Sequence, residues 1–117
     1  MMHEMALMGD ILQLVERDAK ARNIKQINKI ELVVGELSNA LPDALEMAFE
    51  TFRARELAML TRQSQLVIRK EEARAKCTVC GYEYHPEVRL SICPECGLPS
   101  GKLTAGETFK VKLYEGN

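Results

Sequence analysis

Four cysteines do most to limit what this chain can fold into. They stand at Cys77, Cys80, Cys93 and Cys96, two C-x2-C pairs separated by 12 residues, and each pair is followed directly by a glycine, Gly81 and Gly97. Two cysteines three positions apart can aim both sulfurs at one ion only if the chain turns tightly between them. A glycine behind the pair takes the positive φ of such a turn without Cβ strain, and Pro94 pre-sets the first turn residue of the second pair. Four thiolates suit tetrahedral zinc, at about 2.3 Å per Zn–S bond. A disulfide pair and a redox C-x-x-C are the alternatives. No stretch resembles a secretory signal, so a reducing compartment is expected and disulfides are disfavoured there. A redox motif needs one C-x-x-C on a βαβ scaffold, whereas here there are two matched copies. Zinc is therefore the reading. A closed site of four sulfurs leaves no open coordination position, so such a zinc holds structure and performs no hydrolysis.

The rest of the composition explains why a staple is useful. In 117 residues there is no tryptophan and only 5% aromatic content, a lean supply for a core of this size. Sixteen Lys plus Arg against 17 Asp plus Glu argue against a strongly basic nucleic-acid binder and against a polybasic membrane arm. No apolar run approaches the roughly 18 residues of a membrane span. A cytoplasmic protein is expected.

Along the chain, residues 4–22 carry Met8, Ile11, Leu12, Val15 and Ala19 at helical spacing, with Asn23 as a stop. Met5 and Met8 read as packing residues of that helix. Ile30, Leu32 and Val34 alternate with Lys29, Glu31 and Val33, a strand closed by Gly35. Pro42 opens a second helix, with Leu45, Ala48, Phe49 and Phe52 on one face, running to about Leu60. Alternation returns at Gln65–Lys70 and again at Phe109–Tyr114. The order is helix, strand, helix, strand, cysteine module, strand. The last strand fits only if the chain leaves a small sheet, builds the cysteine turns and returns. That predicts an α+β fold, a small three-stranded sheet with two helices, with a four-cysteine zinc-ribbon-like domain inserted. The expected domains are 1–74 plus 103–117, and 75–102. The charged segment 69–76 is expected to be the solvated outgoing tether.

Histidine is scarce: only His3 and His85. A histidine in third place has a particular option. The terminal amine, two deprotonated backbone amides and the imidazole can close around one ion in a plane, the arrangement expected for Ni(II) or Cu(II) rather than zinc. If translation starts at Met2, the amine, the His3 amide and the imidazole still converge, and Glu4 can add an amide or a carboxylate. On three residues alone, an exposed histidine at a frayed end is the simpler reading. His85 is expected to be a loop residue, since four thiolates already complete a zinc site. The Gly97–Lys102 stretch lacks the spacing of a phosphate loop, and two histidines supply a general-base site poorly.

Met2-His3-Glu4, Gly35-Glu36-Leu37-Ser38, Pro42-Asp43-Ala44-Leu45-Glu46 with Ala48-Phe49-Glu50, the two cysteine pairs and Gly106-Glu107-Thr108-Phe109-Lys110-Val111 stand in an order that resembles the HypA family. These are nickel metallochaperones of [NiFe]-hydrogenase maturation, used for urease in some bacteria. The resemblance spans essentially the whole chain. It implies an α/β nickel-binding domain with a zinc-ribbon-like domain inserted before its last strand. It implies Ni(II) as transient cargo at the start of the chain, with His3 as the principal side-chain ligand and Glu4 beside it. Zinc on Cys77, Cys80, Cys93 and Cys96 also follows. So do the partners: the GTPase HypB, the hydrogenase large-subunit precursor and, for urease, its accessory proteins. No enzymatic activity of the chain itself is expected, and a nucleotide step falls to HypB. The family's histidine is the second residue, and Met1 displaces it here to the third. The rival class is a zinc-ribbon nucleic-acid or ribosome-associated adaptor. Its footprint is weak, because Arg74, Lys76, Arg89 and Lys102 face Glu83, Glu87 and Glu95 in the same segment.

Overall fold

The computed structural model describes residues 3–86 and 92–117. Its elements in chain order are α1 (His3–Ala21), β1 (Ile27–Gly35), α2 (Pro42–Ala54), β2 (Leu60–Glu71), β3 (Arg74–Cys77), β4 (Glu83–Tyr84), β5 (Gly101–Ala105) and β6 (Phe109–Gly116). They form two three-stranded sheets, β2-β1-β6 and β4-β3-β5. In the first, β1 runs parallel to β2, the two joined through α2, and antiparallel to β6. The returning strand thus completes the first sheet, as the alternation at 109–114 predicts. The second sheet, built from β3, β4 and β5 around the cysteine turns, has no counterpart among the expected strands. The described molecule measures 54 × 30 × 18 Å with a radius of gyration of 17.7 Å. A compact domain of this length has about 13 Å, so the two sheets form two lobes.

Register explains the core. Ile30, Leu32 and Val34 of β1 stand beside Leu66 and Ile68 of β2 and beside Tyr114, Val111 and Phe109 of β6, on the face that the helices cover. The predicted stripe of α1, Met8, Ile11, Leu12, Val15 and Ala19, is wholly buried there, together with Leu45, Ala48 and Phe49 of α2. Phe49 is the largest fully buried side chain. The opposite face carries Lys29, Glu31 and Val33. Glu31 is 3% exposed because Arg69 and Lys112 close over its carboxylate at 3.5 Å.

Two boundaries differ from expectation. α2 ends at Ala54 rather than near Leu60, since Glu56, Ala58 and Met59 all take positive φ, at 54°, 54° and 67°. Leu60 is buried as the first residue of β2, opposite Ile27, and not as a helical residue. β2 starts earlier than expected because its register jumps between Leu60 and Gln65. The buried Ser64 fills that irregularity, donating to Ile27 O at 2.5 Å and accepting Thr61 N–H at 2.8 Å.

The charged segment 69–76 is strand for most of its length, with only Glu72 and Ala73 between β2 and β3. The chain crosses between the lobes here and again at Gly106, and the two crossings are held together closely. A Cβ on Gly35 would lie 2.3 Å from Gly106 O, and one on Gly106, whose φ is +110°, would lie 2.6 Å from Ala73 Cα. Two carboxylates seal the junction. Glu71 accepts Gly106 N–H at 2.8 Å and the Thr108 hydroxyl at 3.0 Å. Glu36 accepts Ala73 N–H at 2.9 Å.

Candidate metal centres

The cysteine centre is built from two copies of one local turn. Gly81 N–H donates to Cys77 O at 3.0 Å and Gly97 N–H to Cys93 O at 2.8 Å, with φ of +79° and +69° at the two glycines. Cys77 N–H reaches Tyr82 O, and Cys93 N–H reaches Leu98 O, both at 2.9 Å. β3 delivers Cys77 into the first turn, and β5 leaves from the far side of the second. The four sulfurs all lie within 4.8 Å of one another. Two separations, Cys77–Cys96 at 3.5 Å and Cys80–Cys93 at 3.6 Å, lie near the roughly 3.8 Å edge of a tetrahedron with 2.3 Å arms. They are far beyond the roughly 2.05 Å of a disulfide. The predicted cluster is therefore assembled, and among the described residues it contains no histidine.

The electrostatics of the cluster also fit a cation. Cys77 is held down to about 5, first by the Cys80 backbone N–H donated to its sulfur and then by the Ser100 hydroxyl at 3.0 Å. At Cys80 the backbone contact with Tyr82 acts downward, but burial and the Cys77 and Cys93 sulfurs outweigh it and push the thiol up to about 12. Cys96 is raised as well, chiefly by Cys77. One thiolate among crowded thiols suppresses the ionisation of its neighbours, and a divalent cation removes that conflict. The residues present fit zinc.

The second candidate lies at the start of the chain. His3 is the first residue of α1 as described, its side chain 56% exposed, with Nδ1 3.3 Å from Glu4 Oε2. Readings that involve Met1 and Met2 lie outside the described residues. Glu4 is 3% exposed. Its Oε2 accepts the N–H of Leu41 at 3.2 Å, and its Oε1 is buried without a partner among the described residues. Leu41 is the N-cap of α2 and has no side-chain cap of its own. Glu4 thus sits in the first turn of α1 and against the start of α2, where both helix termini favour negative charge. The His3 contact first, and the Leu41 N–H second, hold the Glu4 carboxyl below its ordinary value.

His85 follows β4 as a loop residue, as expected. Its Nε2 meets both oxygens of Glu36, at 2.8 and 3.1 Å, so it braces the cysteine lobe against the loop after β1. Sequence reasoning does not single out Glu36 or Glu71 as junction residues. Their one signal is the position of Glu36 inside Gly35-Glu36-Leu37-Ser38.

Comparison with known proteins identifies the family. The model of a family described as hydrogenase/urease nickel incorporation metallochaperone, HypA, matches residues 2–116. A hydrogenase maturation factor HypA from Moorella thermoacetica is 34% identical over 115 residues, covering 98% of this chain and 99% of that protein. One from Chlorobium luteolum is 35% identical over 111 residues, covering 95% of this chain and 92% of its own length. Among solved structures, the fold is similar to the nickel metallochaperone HypA from Helicobacter pylori, with a TM-score of 0.64 at 24% identity over 97% of this chain and 96% of that one. A further HypA solution structure gives 0.69 at 24% identity, covering 100% and 98%. A whole-chain family match, relatives of equal length and a shared fold around four converging cysteines place this chain in the HypA family of nickel metallochaperones.

Proposed function

We propose that this chain carries Ni(II) at its start, with His3 as the principal side-chain ligand, and gives it up during maturation of a [NiFe]-hydrogenase. The observation that carries this reading is the position of His3: exposed, and in the first turn of α1 as described. The first four N–H groups of a helix have no intrahelical acceptor. Deprotonating the His3 amide to bind nickel therefore breaks no helical hydrogen bond. The same amide nitrogen and the imidazole of one residue can chelate together, and planar nitrogen ligation suits Ni(II). A cation at a helix N-terminus is opposed by the helix dipole. The released amide protons and the Glu4 carboxylate offset that opposition. Loading releases protons, so affinity falls as the solution is acidified. An exposed site also lets a client with thiolate ligands take the metal.

Cys77, Cys80, Cys93 and Cys96 would hold zinc, which supplies a cross-link between the two turns and no reaction. Residues 75–102 act as the inserted domain, and 1–74 with 103–117 as the cargo-bearing one. The chain needs no catalytic activity; the GTPase HypB supplies nucleotide chemistry, and the hydrogenase large-subunit precursor, or urease accessory proteins, receive the metal in the cytoplasm. Isothermal titration with Ni(II) tests the cargo site. His3→Ala is expected to abolish the tight binding step while leaving zinc content unchanged. Unchanged stoichiometry and affinity would sink the assignment.

A further inference from the structure

We propose that two copies of this chain associate through β6, antiparallel and edge to edge, in a single self-complementary register. β6 has β1 on one side and, among the described residues, no strand on the other. Beside this free edge runs an apolar groove of about 470 Å³, lined by Leu7, Ile11 and Leu14 of α1 and by Phe109, Val111 and Tyr114 of β6. Leu14 is 60% exposed there.

The occupant is specified by a bulge. The register against β1 shifts between Glu31 and Leu32, so that Lys112 is an extra residue. Phe109, Val111 and Tyr114 stand opposite Val34, Leu32 and Ile30 on the helix side, and Gly116 is opposite Ile27. Lys110, Leu113 and Glu115 stand opposite Val33, Glu31 and Lys29 on the other side. Lys112 is on that other side too, with its amine 3.5 Å from Glu31. A bulge reverses the alternation beyond it. Read from 109 to 116, the sides are therefore helix, open, helix, open, open, helix, open, helix, the same in both directions.

That palindrome is what an isologous pair needs, because directly opposed residues of an antiparallel ladder must share a face. Pairing 110 with 115, 111 with 114 and 109 with 116 satisfies it at every position. Sliding by one or two residues either way sets a helix-side residue against an open-side one. In the matched register Lys110 faces Glu115 twice, once at each end, and Val111 faces Tyr114 twice. Phe109 lies over Gly116 of the second copy, where no side chain blocks the ring. Lysines on an edge strand ordinarily repel a second strand. Here Glu115 answers Lys110 in the one register that the faces allow. The joined sheet has the order β2-β1-β6-β6-β1-β2 and sets the two cysteine lobes at opposite ends.

Sedimentation of the zinc-loaded full chain over a concentration series tests this, with charge reversals at the exposed Lys110 and Glu115. Lys110→Glu and Glu115→Lys each turn two attractions into two repulsions and are expected to raise the dimer dissociation constant roughly 30-fold. Mixing the two variants restores association, because every 110–115 pair is then opposite in sign. The double variant also restores it. A chain that stays monomeric up to about 1 mM, or a dimer indifferent to these reversals and to mixing, overturns the proposal.

Discussion

Gly106→Ala tests the junction between the lobes directly. The position has a φ of +110°, which L side chains rarely adopt, and the added Cβ would lie 2.6 Å from Ala73 Cα and 2.8 Å from Ala73 Cβ. Neither obstacle is the tip of a flexible side chain. Ala73 is fully buried, and its N–H is fixed by Glu36. Gly106 is fixed in turn by Leu37 N–H on its carbonyl at 2.7 Å and by Glu71 on its own N–H. The backbone strain alone costs roughly 1–3 kcal/mol, and forcing a methyl into a packed site adds about 1–3 kcal/mol. A total near 4 kcal/mol is a large part of the roughly 5–15 kcal/mol that holds a domain folded. With a urea m-value of about 2 kcal/mol/M, the midpoint should fall by around 2 M. The control is Gly81→Ala. Its φ is +79°, but nothing lies within 4 Å of the added Cβ, so only the conformational cost of about 1–2 kcal/mol applies. Urea titration followed by circular dichroism on both zinc-loaded variants separates the two contributions. Equal midpoints for Gly106→Ala and Gly81→Ala would refute the idea that close packing of the two crossings, rather than φ, fixes this junction.

Other perturbations should act in different directions. Gly9→Ala, inside α1, places a methyl 3.7 Å from the Phe52 ring of α2, an ordinary contact between the helices; it should stabilise by about 0.5–1 kcal/mol, seen as a rise of a few degrees in Tm, and a fall would contradict the described contact. Glu71 is held below its ordinary 4.5, first by Gly106 N–H and next by Thr108. The folded carboxyl is the more acidic one, so its contribution is complete above pH about 4.5 and is lost as the pH falls through its lowered folded value. Thermal unfolding of Glu71→Gln and the parent between pH 3 and 7 should therefore converge at the acid end, and a constant gap would be evidence against this role. Removing zinc with a chelator should expose the Cys77, Gly81, Cys93 and Gly97 amides to rapid hydrogen exchange while β1 and β2 stay protected, and a single loss of protection across both sheets would argue against separable lobes.

What the sequence made legible divides along a physical line. A ligand turn is local: Cys77, Cys80 and Gly81 fix one another within five residues, so spacing announced both turns and their positive φ values. The α1 stripe is local as well. The short strands of the second sheet escaped because the buried positions just before and within β3 are Ala73, Ala75 and Cys77, residues too small to give an alternation any hydrophobic contrast. The end of α2 escaped because the left-handed positions fall on Glu56, Ala58 and Met59, where no glycine or asparagine marks them.

Glu4 shows the same line running through one residue. Its place after His3 is local, and that place alone suggested a part in metal binding. Its burial is not local, since it comes from Leu41, 37 residues away, where α2 begins without a side-chain cap. A carboxylate there costs desolvation, but the two helix termini it meets repay part of that cost. One oxygen is committed to the Leu41 N–H and the other has no partner among the described residues. Position 4 thus has two separable duties. Holding the start of α2 needs only an acceptor oxygen, which glutamine also offers. Lowering the charge cost of a cation at the start of α1 needs the ionised form. The start of the chain is therefore tied to the loop that leads from β1 into α2, the same loop whose Glu36 meets His85 of the cysteine lobe. The exposed histidine and the four converging thiols are far apart in sequence, yet one short connection, residues 36–41, touches the supports of both.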